Sequence, residues 1–594
     1  MSIEQELKTN LAAALQSVFS YEAKLDDLSL QPTRKEFDGS HTFVVFPYLK
    51  VSRKSPEETG RALGEHLKEH SGIISDYNVV KGFLNLRLTD KVWLDNLQQI
   101  NQSEDYGNQP ANGRKVMVEY SSPNTNKPLH LGHLRNNFIG YSVAEILKAS
   151  GYEVMKVQII NDRGIHICKS MVAYEKFGNH ETPESASIKG DHLIGKYYVK
   201  FDQEYKKEIE ALSSNGTDKE KAKKEAPILL EAQETLKNWE MGDPKTVDLW
   251  KKMNGWVYDG FDETYHKMGV DFDKYYYESE TYLLGKNLIE EGLKSGAFYR
   301  EDDGSVWVDL EDEGLDKKLL LRSDGTAVYM TQDLGTADMR HDDYPFEKSI
   351  YVVGNEQDYH FKVLILILRK LGRTYADGLF HLSYGMVDLP SGKMKSREGT
   401  VVDADELIDE MVSTAENKTK ELGKIEGFTA DQAKDLYSKL GLGALKYFLL
   451  KVDPKKRMLF NPEESIEFQG NTGPFIQYTF ARISAIVRRA TELKVSPNLD
   501  TENITLEAEE LELIRLLTTF PEKIREAAET FSPSIIAQYA FDLAKEYNRF
   551  YAELSIFGEQ SENITALRVV LSKTVADVIG KSMSLLGIQV PERM

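Results

Sequence analysis

Apolar and polar residues alternate most clearly in three stretches of this chain, and each stretch predicts a different element. In GFLNLRLT, Leu84, Leu86 and Leu88 fall on one face of a strand. In SPEETGRALGEHL, Ser55 is placed to cap a helix, Pro56 suits its first position and Glu58 closes a capping box. KVMVEYSSPN begins with Val116, Met117 and Val118, a short buried strand that runs into a turn. From there helical and strand-like segments alternate through IGYSVAEILKASG, YEVMKVQII, SIYVVGN and HFKVLILILRKLG, the order of a doubly wound sheet. Between the early and late strands a charge-rich, mostly helical stretch of roughly 172–320 reads as an insertion. After about residue 430 strand signals vanish, and LYSKLGLGALKYFLLK, FIQYTFARISAIVRRATEL, LELIRLLTTFPEKIREAAETF and PSIIAQYAFDLAKEYNRFYAEL all carry helical spacing.

The pattern therefore predicts a multidomain α/β protein. Residues 1–110 form a small α/β domain ending in the polar, glycine-dotted NQSEDYGNQPANGRK; 111–430 form a Rossmann-like doubly wound domain with its insertion; 431–594 form an all-α bundle. At 594 residues the chain is too long for one hydrophobic core. Its one cysteine, Cys168, excludes an intramolecular disulfide and a multi-cysteine zinc site, and points to a reducing compartment. The N-terminal MSIEQELKTNLAAALQSVF is an amphipathic helix with acids near its start and lacks the features of a secretion signal. No apolar run approaches the roughly 18 residues of a membrane span. These features predict a cytoplasmic protein.

A net charge of −21 argues, taken alone, against a nucleic-acid partner, because phosphate binding depends on Lys and Arg. Two local patches stand apart from that total: KVDPKKRM, with Lys451, Lys455, Lys456 and Arg457, and ARISAIVRRA, with Arg482, Arg488 and Arg489. On charge pattern alone each is a solvated face.

The stretch with most chemistry is SSPNTNKPLHLGHLRNN, 121–137. A strand ends near Tyr120, a loop follows, and a helix is expected from about Pro128. Its N-terminus would point out of the carboxyl edge of the sheet, where unpaired amides and the helix dipole favour phosphate. His130 and His133, three apart, share a face there, and Gly132 lets a nucleotide lie against the backbone. By themselves these residues read more readily as an ordinary helix whose histidines cap or pack. A zinc pair is disfavoured, since zinc-binding helices usually space histidines by four and add a third ligand.

The downstream DLPSGKMKSREGTVV changes the balance: together with SPNTNKPLHLGHLRNNFIG it resembles the HIGH and KMSKS pair of class I aminoacyl-tRNA synthetases. More narrowly, the chain resembles the arginyl-tRNA synthetase family along nearly its full length. NDRGIHICKSMVAY, RSDGTAVYMTQDLGTA, YVVGNEQDYHFKVL, GALKYFLLK, FNPEESIEFQGNTGPFIQYTFARISAI and LLGIQVPERM carry the likeness in matching order. The resemblance implies an ATP-dependent arginine–tRNA ligase that forms arginyl-adenylate, with Mg²⁺ accompanying the nucleotide and no structural zinc. It implies tRNA(Arg), L-arginine and ATP as partners, and a monomer. The first domain would meet the tRNA elbow and the last would read the anticodon.

By the same resemblance Lys127, His130, His133 and Lys393 are catalytic, and Pro123, Gly132, His133, Gly354, Met386, Val387 and Met394 bind ATP. Glu119, Ser121, Asn124, Tyr329, Asp333 and Gln357 shape the arginine pocket, with Asp333 and Tyr329 facing the guanidinium from one helical face. Gln477, Tyr478, Arg482, Arg488 and Met594 contact tRNA. Without the likeness, Asp333 reads as a surface carboxylate or N-cap and Gly354 as a turn.

Two stretches depart from the family pattern. NDRGIHI places Arg163 and His166 where many relatives carry aspartate, tryptophan and glycine. GKMKSREGT keeps Lys393 and Met394 but has Ser396 or Arg397 at the second lysine of KMSKS. Lys127, just ahead of HLGH, is expected to supply the missing cation.

Overall fold

The computed structural model describes residues 3–34, 36–388, 402–423, 425–496, 499, 501, 504–558 and 561–594. Contacts divide the chain into two compact units. One holds Met1–Tyr106, Ile483–Phe520 and Leu543–Val578; the other holds Gly107–Arg482, Pro521–Asp542 and Ile579–Met594.

The first unit contains an antiparallel sheet of β1 (Leu30–Pro32), β2 (His41–Val44), β3 (Ile74–Val80) and β4 (Phe83–Leu88), in the order β1-β2-β4-β3. Leu84, Leu86 and Leu88 are all buried. Asn85, on the opposite side of β4, is buried too, because its amide accepts from Thr42 Oγ1 at 2.6 Å and donates to Asn78 Oδ1 at 2.9 Å. The helix Pro56–His70 has the expected capping box: Glu58 N donates to Ser55 Oγ at 3.3 Å and Ser55 N to Glu58 Oε2 at 3.0 Å. Gly64 lets that helix lie on β3, since a Cβ there would stand 2.3 Å from the Tyr77 ring. Helical segments of the same unit are joined by the buried Arg568–Glu510 pair at 2.7 Å.

The second unit is built on a five-stranded, wholly parallel sheet: β5 (Lys115–Glu119), β6 (Glu153–Ile160), β7 (Lys274–Tyr277), β11 (Lys348–Gly354) and β12 (Leu379–Tyr384), in the order β12-β11-β5-β6-β7. In sequence order this is a 3-2-1-4-5 arrangement, and the direction of winding reverses between β5 and β11. Val116, Met117 and Val118 are buried on both faces of β5, as a central parallel strand requires.

The stretch expected as an insertion contributes more than helices. The helices Gly190–Ser214, Pro227–Glu240 and Pro244–Met268 are followed by β7, which forms the edge of the main sheet. A separate antiparallel sheet follows, of β8 (Tyr299–Arg300), β9 (Val306–Val308) and β10 (Lys318–Leu321). The polar KYYY of β7 offers no apolar run, so its strand character comes from pairing with Val157–Ile160. After residue 430 the described chain is helical apart from β14 (Met458–Leu459), which pairs with β13 (Val387–Asp388) through backbone bonds that two residues of sequence do not announce.

Candidate active site at the sheet switch point

β5 and β11 end side by side, with Glu119 opposite Tyr351 in register, and the loop 120–130 leaves the carboxyl end of β5. The helix expected from about Pro128 starts at Leu131. The delay has a visible cause. Leu131 N donates to Val402 O at 3.1 Å and Ala404 N to Leu129 O at 3.0 Å, forming an antiparallel bridge between His130 and Asp403, so the chain stays extended past the proline. His130 is then the N-cap, at φ −139° and ψ 174°.

Both imidazoles are locked by backbone. Gly132 N donates to His130 Nδ1 and His130 N donates to His133 Nδ1, each at 3.2 Å, and the ring centroids stand 4.0 Å apart. Burial, reinforced by Lys127 and opposed by Asp403, takes His130 down to about 4; burial, His130 and Lys127 together hold His133 well below its ordinary value. Both rings are therefore neutral near pH 7. With each Nδ1 accepting, each proton sits on Nε2, which makes the pair two hydrogen-bond donors. Burial also lowers Lys127, which has no ion-pair partner among the described residues.

The rest of the helix fixes this start in place. Asn136 receives Ser121 N at 2.6 Å and donates to Val352 O at 2.6 Å, tying the helix to β5 and β11. Arg135, fully buried, donates to the carbonyls of Gly385, Pro454 and Lys456 at 2.7, 3.2 and 2.8 Å. Met386 and the buried Val387 follow directly. Pro123 and Asn124 pair with Asn161 beyond the end of β6, where Asn161 N donates to Pro123 O at 2.9 Å. At the end of β11, Gly354 has φ −59°, and a Cβ there would meet nothing within 4 Å. Neither backbone strain nor internal packing requires glycine at that position. Gln357 is exposed in the turn that follows.

Tyr329 and Asp333 lie on the first turn and a half of the helix Tyr329–Asp343; Tyr329 is 76% exposed. Asp333 Oδ2 is held by His360 Nε2 at 2.6 Å. Glu119 is buried and ion-paired with the buried Arg340, whose guanidinium lies 4.9 Å from the Tyr276 ring. Ser121, at φ 61°, turns its hydroxyl to Tyr265 OH at 2.7 Å. Glu119 and Ser121 thus make internal contacts here. Lys393 and Met394, with Ser396 and Arg397, lie outside the described residues.

The residues assigned to tRNA contact lie on the helix Gly473–Glu492 and at the C-terminal end. Gln477 is fully buried and donates to Lys439 O at 2.9 Å and Gln589 O at 2.7 Å. Tyr478 and Arg482 stack, with the guanidinium 4.9 Å from the ring. Arg488 is exposed and Met594 half-buried. In the other basic patch, Arg457 is engaged by Asp388 at 2.8 Å. Arg163, from the divergent NDRGIHI stretch, reaches Glu240 at 2.6 Å and lies 3.9 Å over the Tyr282 ring, and His166 meets Tyr198 at 3.1 Å.

Several residues at the carboxyl edge have no signal in the periodicity. Asp162, just past β6, is buried and accepts from Ser279 N, Ser279 Oγ and Tyr258 OH at 2.8, 2.7 and 2.9 Å. Glu278, just past β7, is pushed up to about 7 by burial against the pull of Arg163, with Asp162 and Asp333 adding repulsion. A carboxyl following a strand is the signal that would have found it, had KYYY been read as a strand.

Parallel sheet order, a helix start at the switch point and paired imidazole donors together define an α/β enzyme of the nucleotide-binding kind. The sequence comparisons narrow the class. Family models match "tRNA synthetases class I (R), catalytic domain" over residues 96–461, "DALR anticodon binding domain" over 476–594 and "Arginyl tRNA synthetase N terminal domain" over 5–88. The arginine–tRNA ligase of Amoebophilus asiaticus is 58% identical and that of Bacteroides thetaiotaomicron 55%, each over 100% of both chains. The structure of the Thermus thermophilus arginyl-tRNA synthetase, 25% identical, superimposes with a TM-score of 0.79 over 100% of both chains. The chain belongs to the arginyl-tRNA synthetase family of class I.

Proposed function

We propose that this chain attaches L-arginine to tRNA(Arg) at the expense of ATP, by way of arginyl-adenylate. The arginine carboxylate attacks the α-phosphorus, pyrophosphate leaves with the Mg²⁺ that entered on ATP, and the terminal ribose hydroxyl of the tRNA then displaces AMP. The first step needs little proton transfer; it needs reactants held in line and negative charge met on phosphate. His130 and His133 offer two Nε2–H donors and Lys127 a cation at one helix start, a grip suited to charge growing on the α-phosphate. Gly132, Pro123, Gly354, Met386 and Val387 are assigned to the nucleotide.

The observation that carries the choice of amino acid is that carboxyl groups gather at the same edge. Asp333, steadied by His360, and Glu278, raised by burial with Asp162 and Asp333 adding repulsion, make a carboxyl-rich region where Arg163 is already engaged by Glu240 and further positive charge is favoured. A guanidinium supplies that charge with five donors. Tyr329, Gln357 and Asn124 are assigned to the same arginine pocket. Arg482, Tyr478, Arg488 and Met594 are assigned to the RNA, and the protein acts as a monomer in the cytoplasm.

Charging of unfractionated tRNA with each amino acid in turn tests this reading. Arginine should be accepted, and Asp333→Ala should lower kcat/KM for arginine by the roughly 2–5 kcal/mol of a lost charge-assisted contact while ATP binding is retained. Acceptance of lysine with rejection of arginine would overturn the proposal.

A further inference from the structure

Behind the helix start lies a second charged cluster. His192, on the helix Gly190–Ser214, stands 3.2 Å from Asp403 and 3.6 Å from Asp405 through Nε2. Lys189, preceding that helix, contacts Asp405 and lies 3.3 Å from the buried Asp191. Thr264 Oγ1 lies 3.1 Å from Asp405 and Lys267 3.9 Å from it, both from the helix Pro244–Met268. Asp191, His192 and Asp405 place their ligand atoms within 4.8 Å of one another, a spacing that would admit a cation. The ammonium of Lys189 already supplies one, so charge is balanced within the chain.

The acceptors of this cluster sit on the backbone that shapes the site. Asp403 is the residue bridged to His130, and its Oδ1 caps the helix Ala404–Glu421 by accepting Asp405 N at 2.8 Å and Glu406 N at 3.1 Å. A lateral shift of Asp403 would carry Val402 and Ala404 with it, and with them the two bonds that keep Leu129–Leu131 extended. His130, Lys127, His192 and Asp403 also line one cavity of about 1450 Å³, so His192 acts from the site's own wall.

We propose that His192 is a positioning residue for the activation step: through its ion pair with Asp403 it holds the Val402–Ala404 segment against Leu129–Leu131 and so sets the place of the His130 cap. The role rests on the adenylate-forming function above. The close carboxylates of Asp403 and Asp405, set against burial and helped by Asp191, raise His192 to about 10, so the pair is charged at neutral pH. The two carboxylates are correspondingly lowered: burial works against them, but His192, and for Asp405 also Lys189, prevail.

The test is a cycle of His192→Gln, Asp403→Asn and the double variant, read as single-turnover arginylation at saturating substrates beside the apparent KM for ATP and arginine. Asparagine keeps the N-cap acceptor, so Asp403→Asn preserves the helix start. Each single variant should slow turnover on the order of tenfold with either KM changed less than about twofold, and the double variant should be no slower than the worse single. His192→Arg, which keeps a cation facing both carboxylates, should recover most of the rate. A His192→Gln rate within about twofold of wild type, or a double loss equal to the product of the single losses, would overturn the proposal. Arginine charging by the wild type in the same assay keeps the functional reading separate: its absence would refute that reading, whereas normal charging with indifferent variants refutes only the role of His192.

Discussion

His130 and His133 are legible in the sequence as a motif but not as a chemical state. Two histidines three apart are met more often in capping or packing than in catalysis. What selects among these is that each Nδ1 accepts a backbone amide and that burial keeps both rings neutral, leaving Nε2–H to donate. Lys127 is of the same kind. Its burial lowers its affinity for a proton, an arrangement that favours an anion arriving beside it, since the arriving charge restores what desolvation removed. If it meets charge that grows during the reaction, Lys127→Ala should lower kcat by on the order of 10²-fold while the KM for ATP rises little. Lys127→Arg should restore only part, because a planar fork replaces a compact ammonium. Single-turnover adenylate formation measures both, and equal rates for wild type and Lys127→Ala would place the cation elsewhere. At Glu119 and Ser121 the family likeness named residues that this chain ties to Arg340 and Tyr265; only neighbours distant in sequence reveal those commitments.

Elements are legible in the sequence where their pattern is local. The capping box at Ser55, the β4 alternation and the apolar β5 follow from residues within one turn or one strand. β7 and β14 are not legible there, because a polar or two-residue strand is made by its partner. The helix Leu131–Ala149 lies between these cases: its length is local, but its first residue is decided by the Val402–Ala404 bridge. Its anchoring is equally non-local, since Arg135 sends its guanidinium to carbonyls some 250 to 320 positions away along the chain. Arg135→Met should therefore destabilise the larger unit by roughly 3 kcal/mol, by taking the guanidinium from the carbonyls of Gly385 and Lys456 while Pro454 O keeps only Gly385 N. The urea midpoint of that unit's unfolding reads the loss, and an unchanged midpoint would mean that the loop 453–456 is held by other contacts.

For the whole molecule, a charge of −21 leaves RNA binding to a few placed cations. The C-terminal turn is fastened from within: Ser142 Oγ donates to Leu585 O at 2.8 Å, Lys446 to Gly587 O and Gln477 to Gln589 O at 2.7 Å. Gln477 and Arg488 lie on one helix yet should behave oppositely. Arg488→Ala should reduce the slope of log affinity for tRNA against log salt by about 0.7 to 0.9, the release of one counterion. Gln477→Ala should leave tRNA affinity unchanged and lower thermal stability, since it removes the buried donor that ties Lys439 O to Gln589 O. Titrations at several salt concentrations with melting curves separate the two, and a Gln477→Ala variant that binds tRNA more weakly at every salt concentration without losing thermal stability would return that residue to the RNA surface. The α/β class and the helical C-terminal part are legible in the sequence alone, because periodicity is a property of near neighbours along the chain. Tertiary structure alone decided that β7 completes the sheet, that Glu278 joins Asp333, that Gln477 faces inward, and that Asp403 meets His130 and His192. Each of these depends on which distant backbone or charge lies opposite, and burial then fixes the charge state of what has been brought together.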